Sequence, residues 1–414
     1  MISTQLILLA ASLVVHLVQA GFPTDYQYDE DDPHKEYPFP DVGTPYCEKR
    51  NRIFIPLERS FGPVDPHSSA RSFVPEMSYV GVMNIGTPAQ AYHVAFDSTL
   101  NETWLSSGPS QRKEGFDCMD SSSCQRYGRD VRFNFRNTRM VGELYADFFM
   151  LHKVGWQNNR ATTTVREVKF LQYFAYIDDG NLYNKPYVGV IGMAPRDRSD
   201  SGFRNILRAV QQSFASPIEP EQTPYVPCLP TAFDMVFSIY INPDQSSPDG
   251  GEVIFGGINE ERFKGKLHFH KADLAPTWQL DMTLVKLGGV GLSCPNGCKV
   301  TFDTGGNSIV GPHDDVEEIY RQLEARYRPD ANVWVVDCDR LGSFPTLAVY
   351  FNNILYPLYS NHYTRMVQHE GESICVLQIE RWDQPDWVLG TSFMAAYYTV
   401  FDYGNEVLGF APAR

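Results

Sequence analysis

After its first twenty residues the chain has no apolar run of eighteen, so no later segment reads as a membrane-spanning helix. Excess positive charge is also missing. The 35 Lys and Arg stand against 50 Asp and Glu, a net −15, which makes nucleic acid and anionic membrane poor partners. Three catalytic signatures are absent: the Gly-x-Ser-x-Gly nucleophile elbow, the His-Glu-x-x-His zinc motif and the phosphate loop ending Gly-Lys-Ser/Thr. The ten histidines are scattered, and no metal or cofactor is expected. Helical periodicity is scarce, confined to 203–214 and 314–327, the second opening with acids that suit a helix N-terminus.

What is present points to strands. Twenty-three Tyr and 26 Phe favour β-structure, and 31 Gly and 28 Pro supply its turns. Short β-like runs such as YVGVMNIG, YHVAF, FSIYI, LAVYF and YYTVFDY follow one another from Tyr79 onward. At 414 residues the chain has room for two domains or one large two-lobed body.

Residues 1–20 read as a secretory signal peptide, with an apolar core from Leu6 to Val15 and small residues Val18 and Ala20 for cleavage. Residues 21–76 form an acidic extension or prosegment. Between Asp25 and Glu48 it carries eight acidic residues and one basic one, Lys35. Within it, RIFIPLERSF at 52–61 is a plausible strand.

In an exported chain most of the eight cysteines should form disulfides. Cys118 with Cys124 and Cys294 with Cys298 read as small loop staples, zinc being the competing reading for the second pair. Cys338 and Cys375 would close a larger loop. Cys47 and Cys228 remain, and their pairing would tie the N-terminal segment to the first lobe.

The chain also repeats itself. Apolar-Phe-Asp-Ser at 95–98 is followed by VIG at 190–192, and apolar-Phe-Asp-Thr ending at Thr304 is followed by VLG at 388–390. A duplicated lobe would set Asp97 and Asp303 face to face. Two carboxylates in one site share a proton, so one acts as base and the other as acid, activating water against an amide without metal or covalent intermediate.

NIGTPAQAYHVAFDST (84–99), GVIGMAP (189–195), EVIFGGIN (252–259), CPNGCKVTFDTGGNSIVGP (294–312), WVLGTSFM (387–394) and YYTVFDYGNEVLGFAP (397–412) occur in that order. Together they resemble the pepsin family of aspartic endopeptidases over about residues 77–414. The resemblance implies an all-β, bilobal fold, two duplicated β-lobes with a cleft between them. The lobes would span 77–245, with the first Asp and a flap, and 246–414, with the second Asp.

It further implies that Asp97 and Asp303 are catalytic, that Ser98 and Thr304 join the two loops, and that Trp104 packs behind the first. A flap is expected near 133–145, with Phe135 at the family's tyrosine position. Thr99 stands where the family has glycine, which predicts strain of roughly 1–3 kcal/mol. Leu100 and Gly306 stand where it has hydroxyls that donate to the aspartates, so each carboxylate should lose a charged hydrogen bond of about 1.5–3 kcal/mol. Arg136 and Thr138 replace flap glycines. Asn101 begins the one N-glycosylation sequon, Asn101-Glu102-Thr103.

Two functions follow. One is a secreted or lysosomal endopeptidase, monomeric, cleaving extended peptide or unfolded protein. The other is an inactive pseudoprotease that binds a partner through its cleft or its acidic segment.

Overall fold

The computed structural model describes residues 52–62, 74, 77–108, 115–136, 138–157, 160–178, 185–195, 203–215, 233–274, 277–369 and 371–414. The signal segment 1–20, the acidic stretch 25–41, Cys47, Cys228 and the proline-rich loop 216–230 lie outside the described residues.

The internal repeat is a repeated three-strand unit. The apolar strand Gln90–Asp97 runs parallel to Gly189–Gly192, with Asp97 opposite Gly192, and Trp104–Ser106 lies antiparallel on the far side of Gly189–Gly192. In the second half Cys298–Phe302 runs parallel to Trp387–Leu389, which pairs antiparallel with Ile309–Pro312. The glycine ending each VIG or VLG has one cause in both places. A Cβ on Gly192 would come 2.7 Å from the Asn101 carbonyl, and one on Gly390 would come 2.6 Å from the Gly306 oxygen. Only glycine lets the aspartate-bearing loop pass so close.

Among the described residues, a thirteen-stranded sheet crosses the molecule and draws on both halves of the chain. At its middle the strand Ile53–Phe61 lies between Asp249–Phe255 and Met77–Ile85. Ile53, Ile55 and Leu57 alternate inward, so this segment is an integral strand. The terminal strands Tyr397–Asp402 and Val407–Pro412 pair with each other, and the first of them with Val236–Ile241, in the same sheet. An eight-stranded and a four-stranded sheet complete the second half. The architecture is the all-β, bilobal one that the resemblance implies.

Gln125–Phe135 and Thr138–Gln157 form a long hairpin, with Arg136 following the first strand at its turn. Phe133, Phe135 and Met140 turn inward from it and join Leu100 and Trp104 in a satellite core. Ile206–Ala215 is helical, close to expectation. The second helix is His313–Gln322, ending five residues before the expected 314–327 does. Glu324 adopts φ +52°, a left-handed conformation that stops the helix, and Arg326–Arg328 is a strand. Cys118–Cys124, Cys294–Cys298 and Cys338–Cys375 are disulfides, which removes the zinc reading of the second pair.

Candidate active site

Asp97 is the last residue of its apolar strand and Asp303 directly follows Cys298–Phe302, and a reciprocal set of hydrogen bonds knits the two loops. Ser98 donates its hydroxyl to the Phe302 carbonyl at 2.7 Å, and Thr304 donates its hydroxyl to the Phe96 carbonyl at 2.8 Å. In return the Ser98 N–H donates to Thr304 Oγ1 at 2.9 Å and the Thr304 N–H to Ser98 Oγ at 3.0 Å. Four bonds between residues about two hundred apart in sequence fix one loop against the other. Both hydroxyls are buried, so losing either would leave a buried N–H without its acceptor.

The loops also touch through glycine. A Cβ on Gly305 would fall 2.6 Å from Asp97 Oδ2, so the second loop's backbone lies directly against the first carboxylate. Asp97 is buried at 3% exposure. Its Oδ1 accepts the Thr99 N–H at 2.8 Å and the Thr99 hydroxyl at 2.6 Å. Two expectations are thereby corrected. Asp97 has not lost its hydroxyl donor, because Thr99 supplies it in place of residue 100. Nor does Thr99 occupy the left-handed backbone region where a β-branched residue would be strained.

Asp303 is supported differently. Its Oδ1 accepts the N–H groups of Gly305, at 2.8 Å, and Gly306, at 2.9 Å, with no side-chain hydroxyl among its described partners. A Cβ on Gly306 would come 2.5 Å from Asp303 Oδ2, so the carboxylate itself fills the room a side chain there would need. Burial pushes the Asp303 carboxyl up to about 6, and the charge of Asp97 pushes the same way. Arg136 and the two glycine N–H groups pull it back.

Phe135 packs edge-on to Trp104, ring centroids 5.4 Å apart, and Tyr187 does so from another side at 6.2 Å. The fully buried Trp104 Nε1 finds no hydrogen-bond partner among the described residues, as a phenylalanine at 135 implies. Asn101 sits in the loop behind Asp97, with its Oδ1 buried and Thr103 1% exposed. Asn101 itself is half-buried and lines the cavity beside Thr99.

The residue that sequence reasoning passed over is Arg136. In sequence it stands out only as a replaced flap glycine, although a positive charge at the turn of a hairpin expected over two acids is the available signal. Its guanidinium donates to the Gly305 carbonyl, bridging flap and second loop. Its backbone has φ +52°, so the position still makes the turn suited to glycine. The space bounded by Asp97, Phe135, Arg136, Tyr187 and Gly305 is reduced to about 10 Å³. Larger cavities open on either side, about 610 Å³ beside Thr99 and about 940 Å³ beside Asp303.

A family model described as eukaryotic aspartyl protease matches residues 78–413. The chain is 26% identical to renin of Rattus norvegicus over 351 residues, covering 82% of this chain and 80% of that one. It is 26% identical to cathepsin D of Gallus gallus over 352 residues, 81% of each. Pregnancy-associated glycoprotein 2 of Bos taurus is 25% identical over 343 residues, 82% of this chain and 83% of its own.

Proposed function

The chain belongs to the eukaryotic aspartyl protease family, and from that premise we propose that it hydrolyses peptide bonds with Asp97 and Asp303 as its dyad. The observation that carries the proposal is the unequal support of two carboxylates locked together by Ser98 and Thr304. Asp303, raised to about 6, is the protonated partner in weakly acidic solution. Asp97, with both donors on one oxygen, is the carboxylate.

In this mechanism water between the two is deprotonated by Asp97 and attacks the peptide carbonyl carbon. Asp303 gives its proton to the carbonyl oxygen. The proton taken by Asp97 then passes to the departing amine nitrogen, and as the C–N bond breaks Asp303 takes a proton back from one hydroxyl of the tetrahedral carbon, leaving the product carboxyl and the dyad as it began. The substrate is an extended peptide lying in the cavities on both sides of the dyad, under the hairpin. Residues 77–245 and 246–414 act as the two lobes of this site.

Export is part of the proposal, to the outside of the cell or the lysosomal lumen. Three disulfides and the N-terminal apolar segment support it. No helix among the described residues is long and apolar enough to cross a membrane.

A second reading rests on Arg136. Its bond to Gly305 closes the space over the dyad, which suits a pseudoprotease that holds a partner in its side cavities without cutting it. Incubating an unfolded protein with the wild-type chain and with Asp303→Asn at pH 5 separates the two. New peptide termini from the wild type alone are the expected result. Intact protein in both samples gives the second reading.

A further inference from the structure

The flap carries an unusual charge for so acidic a chain. Arg126, Arg129, Arg132, Arg136 and Arg139 fall within fourteen residues of a protein whose net charge is −15. Pairing across the hairpin sets Asn134 opposite Arg139 and Arg132 opposite Val141, so Arg132 and Arg139 share one face. The inward face is taken by Phe133, Phe135 and Met140.

These arginines border the cleft. Arg132 and Arg139 line the 610 Å³ cavity between flap and first catalytic loop, together with Thr99, Asn101 and Glu102. On the other side of the dyad Arg136, Arg365 and Arg381 line the 940 Å³ cavity with Asp303 and Glu380. Five arginines thus face three carboxylates across the two cavities, and one of the three, Asp303, is protonated below about 6. Several of these charges are already engaged. Arg381 pairs with Glu317, Arg136 donates to Gly305, and Glu380 accepts the Ser308 hydroxyl.

Arg132 and Arg139 are the least committed. Arg132 lies 3.9 Å from Asp130, a loose pair with both side chains largely in solvent, and Arg139 has no ion pair among the described residues. The charged groups facing them are Glu102 from the loop and Asp130 from their own hairpin. A face that served solubility alone would have no reason to line the cavity beside Thr99. In an acidic protein a local positive lining focuses the field onto anionic ligands.

We propose that this cavity is a subsite for acidic side chains, with Arg132 and Arg139 forking onto the carboxylate of a peptide Asp or Glu. The inference rests on the peptide-binding reading of the cleft and supplies its substrate class. Peptides rich in Asp and Glu near the bond under the flap are its ligands.

The test uses the full chain and fluorescent peptides in which the bond to be cut is replaced by a reduced, uncleavable one. One peptide carries Asp on the Arg132 side, its twin carries Asn, and a third carries Lys. At pH 5.5 and low salt, anisotropy should show the Asp peptide binding about tenfold tighter than the Asn peptide, as a charged hydrogen bond implies. The preference should fall below about twofold in Arg132→Gln/Arg139→Gln and return in part in Arg132→Lys/Arg139→Lys. It should also vanish at pH 3, where the peptide carboxyl is protonated. Equal binding of the Asp and Asn peptides, tighter binding of the Lys peptide, or a preference unchanged in the Gln variant overturns the subsite. Cleavable versions of the peptides are scored separately. A binding preference without cleavage keeps the subsite and removes the hydrolase, whereas cleavage without preference does the reverse.

Discussion

Thr99 gives both its backbone N–H, at 2.8 Å, and its hydroxyl, at 2.6 Å, to a single oxygen of Asp97. The hydroxyl that the resemblance places at residue 100 has in effect moved one position along the chain, into a place where the family carries glycine. The residue that looked like damage is thus the one supporting the first carboxylate.

Replacing Thr99 should therefore be harmful. Thr99→Val keeps the branched shape and removes only the hydroxyl. A charged hydrogen bond of about 1.5–3 kcal/mol predicts at least a tenfold fall in kcat/KM. Thr99→Ser should retain most of the rate. A Thr99→Val enzyme as fast as wild type would mean that the hydroxyl does not serve Asp97.

Gly306 behaves in the opposite way. Because a Cβ there falls 2.5 Å from Asp303 Oδ2, Gly306→Thr should turn the carboxylate away from its partner. The expected result is a loss of activity of about tenfold or more, with the thermal midpoint little changed. A gain in rate would show that Asp303 has room to reorient productively.

Between Phe135 and Trp104 the missing atom is an oxygen. The Trp104 indole N–H is buried without a described partner 5.4 Å, centroid to centroid, from the Phe135 ring. Phe135→Tyr should supply an acceptor and raise unfolding free energy by about 1 kcal/mol, read from the denaturant midpoint. An unchanged or lower midpoint would mean that the new hydroxyl points elsewhere.

Asp303 also links stability to pH. Its carboxyl holds a proton up to about 6 in the folded chain and releases it near the ordinary value of 3.8 when unfolded. Between those values the folded state binds more protons. The group's stabilising contribution is therefore complete below about pH 4 and is lost as pH rises through about 6. Asp303→Asn abolishes this dependence. The variant should gain about 1–3 kcal/mol relative to wild type between pH 4 and pH 7. A gap that stays constant over that range would mean that the folded chain leaves this carboxyl at its ordinary value.

Much of this was legible from the sequence because it depends on residues that tolerate no substitute. The apolar-Phe-Asp strands, the glycines of VIG and VLG and the close cysteine spacings each encode one backbone arrangement. They point to the paired strand units and the two short disulfides, Cys118–Cys124 and Cys294–Cys298. Illegible features depended on where a side chain turns. Nothing in FDSTLNETW says that the Thr99 hydroxyl, and not a neighbour's, meets Asp97. Nothing in FDTGGNS says that Asp303 leans into the space beside Gly306. The strand Ile53–Phe61 was readable as a strand, but its place inside a thirteen-stranded sheet depends on partners some two hundred residues away. The second helix was overextended because Ala325 and Tyr327 continue a helical pattern that Glu324 ends with one left-handed residue.

The most direct measurement is the pH profile of peptide-bond cleavage between pH 3 and 8 by the purified chain, beside Asp97→Asn and Asp303→Asn. The dyad account predicts cleavage by the wild type that falls away above about pH 6, as Asp303 loses its proton, and none by either variant. Cleavage that persists undiminished to pH 8, or survives in Asp303→Asn, would contradict it.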